Sequence, residues 1–127
     1  MSYYFAKQTT LSFDDAIARV TEELKNEGFG ILTEIDVKET LKKKLNVDFR
    51  RYKILGACNP PFAYQALQVE ECIGTMLPCN VIVHEKAGGV EVAAVDPVAS
   101  MAGVKNDKLT VIAEEVRKKL AKVIENV

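Results

Sequence analysis

The residues with chemistry to offer are few and crowded together. All three cysteines (Cys58, Cys72 and Cys79), the single histidine His84 and three of the four prolines fall between Ile54 and Glu85. A cysteine–histidine pair is the first arrangement to test. Cys79 and His84 stand five positions apart in a segment that reads as one strand. At about 3.3 Å per residue they are ~16 Å apart, and the odd separation puts them on opposite faces. A nucleophile and its base must come within about 3 Å, so that dyad is excluded. Cys58 meets His84 only if their strands run parallel. If the strands are antiparallel neighbours, Cys58-Asn59 instead comes beside Cys79-Asn80. Two thiols, two side-chain amides and the start of the helix after Asn59 then converge at one sheet end. A helix N-terminus lowers a thiol's pKa and offers N–H groups to an anion. Such a place suits a reactive thiol, a sulfur-transfer site or a pocket for a small molecule or anion. It suits equally two small apolar residues packed at strand ends.

The remaining candidates are weaker. Cys72, on or just after the third helix, reads as packing. No CxxC, HxxxH or carboxylate cluster has ligand spacing, so no metal site is expected and no cofactor is assigned. His84 reads as a surface or hydrogen-bonded strand residue, a proton shuttle being its other use. Asp96 before Pro97 caps a turn with its side chain, general base being its other use. Met76 and Met101 lie in irregular segments, where each either lines an apolar pocket or fills core. Glycine-rich phosphate loops, GxSxG elbows and dinucleotide fingerprints do not occur.

Composition narrows the partners. The chain has 127 residues, 48% apolar and 28% charged, enough to bury a core as a single domain over residues 1–127. Seventeen basic residues against eighteen acidic ones give a net charge of −1. That leaves no bulk electrostatic reason to expect nucleic acid or an anionic membrane. No apolar run nears the ~20 residues needed to span a bilayer. The start, MSYYFAKQ, lacks the basic and apolar regions of a secretory signal. Three cysteines, separated by thirteen and six residues, form no disulfide framework. The expectation is a cytoplasmic protein with free thiols.

The elements that must position these residues follow in order. Tyr3 to Gln8 reads as a strand. Ser12 with Asp15 makes a capping box for a helix whose stripe is Phe13, Ile17, Val20 and Leu24, ended by Gly28. Phe29 to Val37 alternates as a second strand, with Phe29, Ile31, Thr33, Ile35 and Val37 expected on one buried face. Asp36 with Glu39 caps a short helix carrying Val37, Leu41 and Leu45, with Lys42-Lys43-Lys44 on its solvated face. Arg50 and Arg51 are the residues that would join those lysines in an anion site.

Tyr52 to Cys58 is the third strand. Asn59 as N-cap with Pro60 at the first helical position starts a helix carrying Ala63, Ala66, Leu67 and Glu70. Cys79 to Glu85 and Val90 to Val95 are strands four and five, joined by a Lys86–Gly89 hairpin turn. Asn106 or Asp107 caps a final helix with Leu109, Ile112, Val116, Leu120, Val123 and Ile124 on one stripe. The outline β-α-β-(short α)-β-(α)-β-β-α predicts an α+β two-layer sandwich: a mainly antiparallel five-stranded sheet with two long helices on one face. A ferredoxin-like arrangement is the alternative.

The run Leu55-Gly56-Ala57-Cys58-Asn59-Pro60-Pro61, then Gly74-Thr75-Met76-Leu77-Pro78-Cys79-Asn80-Val81, then Asp96-Pro97, resembles the domain-of-unknown-function 302 family. The Phe29–Val37 segment is similar to that family's second strand. The resemblance implies a curved antiparallel sheet of the TATA-binding-protein-like fold class, a homodimer and no established activity. A shared fold carries no function across. Three readings stand. One is a homodimeric small-ligand-binding or accessory protein, with a site formed by Cys58, Asn59, Cys79, Asn80, Asp96 and Met101. The second is a thiol-dependent enzyme or sulfur carrier using Cys58 or Cys79. The third is a structural or interaction module.

Overall fold

The computed structural model describes residues 2–127, and its helices begin where side chains satisfy free backbone N–H groups. Strand β1 spans Tyr4–Thr9 and helix α1 spans Phe13–Asn26. Ser12 Oγ accepts the Asp15 N–H at 3.1 Å, and Phe13, Ala16, Val20 and Leu24 are buried along one stripe of α1. Gly28 follows at φ 87°, the left-handed conformation that glycine enters without penalty. Asp36 caps α2 (Val37–Leu45) through the Glu39 N–H. Helix α2 contributes no fully buried residue, and its four lysines, Lys38 and Lys42 to Lys44, are exposed.

The sheet is completed by β2 (Gly30–Asp36), β3 (Tyr52–Cys58), β4 (Cys79–Lys86) and β5 (Gly89–Val95). Its order is β1-β5-β4-β3-β2, and every neighbouring pair is antiparallel. A ferredoxin-like sheet splits a β-α-β unit with one intervening strand; here three strands, β5, β4 and β3, separate β1 from β2. Helix α5 (Asp107–Glu125) lies with α1 on one face of the sheet. Leu55, Val81, Val83 and Val92, all fully buried, point from the strands into that layer. The two-layer α+β sandwich is therefore observed.

Strand β2 departs from its expected alternation. The β2–β3 register shifts between Ile31 and Thr33, the mark of a β-bulge. Ile31 pairs with Ala57 on the helix side, but Thr33 stands opposite Gly56 and Ile35 opposite Ile54, on the open face. The single buried face expected for Phe29, Ile31, Thr33, Ile35 and Val37 is thus divided by one extra residue, and Ile35 is 48% exposed.

The bulge creates a steric constraint at Gly56. A methyl group there would collide with Thr33 Oγ1 and come within 2.7 Å of Pro78 Cγ. Gly56→Ala should therefore lower the stability by about 1–3 kcal/mol. Thr33→Ala in the same chain should return part of that loss, because it removes the colliding hydroxyl. Urea unfolding of the two single variants and the double variant checks this; strict additivity would contradict the contact.

Candidate functional site

The site is built where β3 ends and β4 begins. Ala57 pairs with Cys79 and Gly56 with Asn80, so the antiparallel arrangement brings Cys58-Asn59 beside Cys79-Asn80. Three helical pieces close over this corner: α3 (Pro60–Val69), a 3-10 turn over Glu71–Met76, and α4 (Pro97–Ser100). Polar contacts tie α3 and α4 to the rest of the fold. Asn59 Nδ2 donates to the Glu27 carbonyl at the end of α1 at 3.1 Å. Asn106 caps α5 through the Lys108 and Leu109 N–H groups and also donates to the Val69 carbonyl at 2.7 Å. Asp96 caps α4 through the Val98 and Ala99 N–H groups and accepts from Arg117 Nε on α5 at 3.0 Å.

Between these pieces lies a cavity of about 290 Å³, close to the ~300 Å³ lower range of ligand pockets. Its wall is almost wholly apolar. Cys58, Cys79 and Met101 are among its lining residues, with Phe62, Ala66 and Ala113 from α3 and α5. Leu32 and Leu67, 68% and 45% exposed, mark its mouth. Asn59 is the one amide in the lining, and its nitrogen is already committed to Glu27.

Of the residues expected at the site, Cys58, Asn59, Cys79 and Met101 line this cavity. Asn80 and Asp96 do not. Asn80 is exposed on the opposite sheet face, because successive strand residues alternate and Cys79 points inward. Asp96 is buried outside the lining, and both its carboxylate oxygens accept hydrogen bonds within the fold, which hold α4 against α5. The turn-capping reading of Asp96 is observed. Asn59 does not cap α3 with its side chain, contrary to expectation, because the α1 carbonyl takes it instead.

The anion expectation also weakens here. Pro60 and Pro61 remove two of the N–H groups that a helix start normally presents, and the Ala63 N–H bonds the Asn59 carbonyl. Nor do Arg50 and Arg51 converge with the lysines of α2. Arg51 pairs with Asp14 at 2.8 Å, and Arg50 stacks on Phe49 and Tyr52. Cys72, expected to be packed, is exposed on the 3-10 turn.

The wall formed by α5 escaped the sequence reading, since Leu109, Ile112 and Val116 registered only as a core stripe. The available signal was Ala113, a small residue inside that stripe, with Ala63 and Ala66 opposite. Leu32 joins the lining at the register shift between Ile31 and Thr33, which no pattern within β2 announces.

Burial pushes the Cys79 thiol up to about 11, with the neighbouring Cys58 adding to the rise. Cys79 is thus a neutral thiol at physiological pH, the opposite of an activated nucleophile. Its folded pKa lies above that of an unfolded thiol near 9. The stabilisation from burying the neutral form is therefore complete below about pH 9 and is lost as the pH rises towards 11. Wild type should exceed Cys79→Ala in stability at about pH 8, with the gap narrowing towards about pH 11. Paired urea titrations read this directly; a gap independent of pH would contradict the buried neutral thiol.

The family described as a domain of unknown function, DUF302, matches residues 5–127. Among solved structures, the chain is similar to the crystal structure of an uncharacterized conserved DUF302 protein from Bacillus stearothermophilus. The two share 28% sequence identity, with a TM-score of 0.93 over 99% of this chain and 98% of that one. No curated protein matches the chain.

Proposed function

This chain belongs to the DUF302 family, and from the corner that its sheet and helices build we propose that it binds a small, uncharged, apolar ligand. The observation that carries the reading is the 290 Å³ cavity, walled by carbon and sulfur and opening between two exposed leucines. Burying apolar ligand surface there gains about 25 cal/mol per Å², and a preformed cavity holds down the ordering cost of binding. Cys58, Cys79 and Met101 present polarizable sulfur to the ligand. Asn59 acts by fixing α3 to α1, and Asp96 by fixing α4 to α5.

The chain works in this reading as a cytoplasmic homodimer. Three unpaired cysteines suit a reducing compartment, and the dimer follows from the family resemblance. The thiol-enzyme reading loses support at Cys79, which burial keeps protonated. The pure interaction module loses support from the cavity itself.

Indole is a suitable probe, because the protein contains no tryptophan and excitation beyond the tyrosine absorption band leaves the emission to the ligand. Indole emission should shift to the blue and saturate on titration with wild-type protein. Ala113→Leu, which fills the cavity from α5, should weaken the interaction at least tenfold. An unfolding midpoint for Ala113→Leu near that of wild type separates a blocked cavity from a damaged fold. Emission that never shifts, or equal binding by wild type and a folded Ala113→Leu variant, would overturn the proposal.

A further inference from the structure

The open face of the sheet carries a second cleft, of about 360 Å³, and its chemistry differs from that of the first. Its floor is Ile82, Ala93 and Val95, and aromatic rings from Tyr4 and Tyr52 stand at its sides. A line of polar groups crosses one end. Glu91 Oε1 lies 2.9 Å from His84 Nε2, and Arg50 Nε donates to His84 Nδ1 at 3.4 Å. With Nδ1 accepting, the ring proton sits on Nε2 and is donated to Glu91, which fixes the tautomer and the ring orientation. His84 is 8% exposed and packs its ring 4.9 Å from that of Tyr52. The relay Glu91–His84–Arg50 thereby holds the guanidinium over the aromatic side of the cleft, 5.5 Å from the Tyr52 ring.

Arg50 differs from the other arginines of the chain. Arg19 pairs with Glu23, Arg51 with Asp14 and Arg117 with Asp96. Arg50 alone among the described arginines has no carboxylate partner, and its terminal nitrogens are left with hydrogen-bond donors to spare. The other charges on this face cancel, since Lys86 Nζ lies 3.2 Å from Glu91 Oε2. The cleft therefore carries one uncompensated positive charge beside an apolar floor, in a protein whose net charge is −1.

We propose that this cleft binds a small monocarboxylate with a flat apolar body. The carboxylate is held in a fork by the terminal nitrogens of Arg50, and the body lies on Ala93 and Ile82 between the tyrosine rings. One free cation matches one negative charge, which favours a monocarboxylate over a phosphate. The site is independent of the cavity under α3, from which the sheet itself separates it.

Benzoate is the probe, with benzyl alcohol as its uncharged counterpart, followed by amide chemical shifts in a titration. Benzoate should move the amides of Tyr52, Ile82, Ala93 and Val95 and saturate. Arg50→Gln, at an exposed position, should weaken benzoate at least tenfold while leaving indole binding unchanged. Benzyl alcohol should bind wild type at least tenfold more weakly than benzoate and should not distinguish wild type from Arg50→Gln. Shifts that stay linear, or that map to the α3 cavity, would overturn the assignment, and so would an Arg50→Gln variant that binds benzoate like wild type. A linear response is also what a second copy of the chain covering this face would produce, and it counts against the site equally.

Discussion

The antiparallel pairing of β3 with β4 is the constraint on which the rest of the molecule depends. The register that sets Ala57 against Cys79 brings together two chain segments some twenty residues apart. The intervening residues must leave and return at the same sheet end. Two prolines after Asn59 make the departure a helix, and Pro78 ends the return just before β4. What lies between, α3 and the 3-10 turn, has no choice but to fold over the corner. The same pairing fixes faces: Leu55, Ala57, Cys79 and Val81 turn inward, while Gly56, Asn80, Ile82 and His84 turn outward. Both clefts follow from that division.

The corner remains open because the residues facing it are small. Ala63, Ala66 and Ala113 keep α3 and α5 from filling the space between them with side chains. The helices are also prevented from collapsing inward, since Asn59, Asn106 and Asp96 each bind a backbone group or side chain of another element. Interiors normally pack near crystal density, so a void of this size against a rigid polar scaffold is a structural commitment. A lone leucine in place of one alanine would remove it.

Much of this architecture is legible in the chain itself. Capping pairs at Ser12 and Asp36, the stripe of α5 and the bounds of β3 follow from spacing alone. So does the separation of Cys79 from His84, because pleat alternation is a local rule. The expectations that failed depend on distant partners. A bulge at Ile31–Thr33 is invisible without the β3 register that forces it. Asn59 looks like a cap until the carbonyl of Glu27 competes for its amide. Cys72 looks apolar enough to pack, yet the 3-10 turn leaves it in solvent. The open-face cleft draws Tyr4, Arg50, Tyr52, His84 and Glu91 from four segments, and no spacing within one segment announces it. Asp96 was assigned its cap correctly, but its pairing with Arg117 across twenty-one positions needed the fold.

Xenon offers the most direct measurement, because it enters dry apolar cavities and reports them without chemistry of its own. In a crystal pressurised with xenon, a density peak should appear among Cys79, Ala66, Ala113 and Met101, with no ordered water in the same volume. A corner filled by a hydrogen-bonded water network, or one closed to xenon with its side chains in contact, would contradict the apolar cavity and the function built on it.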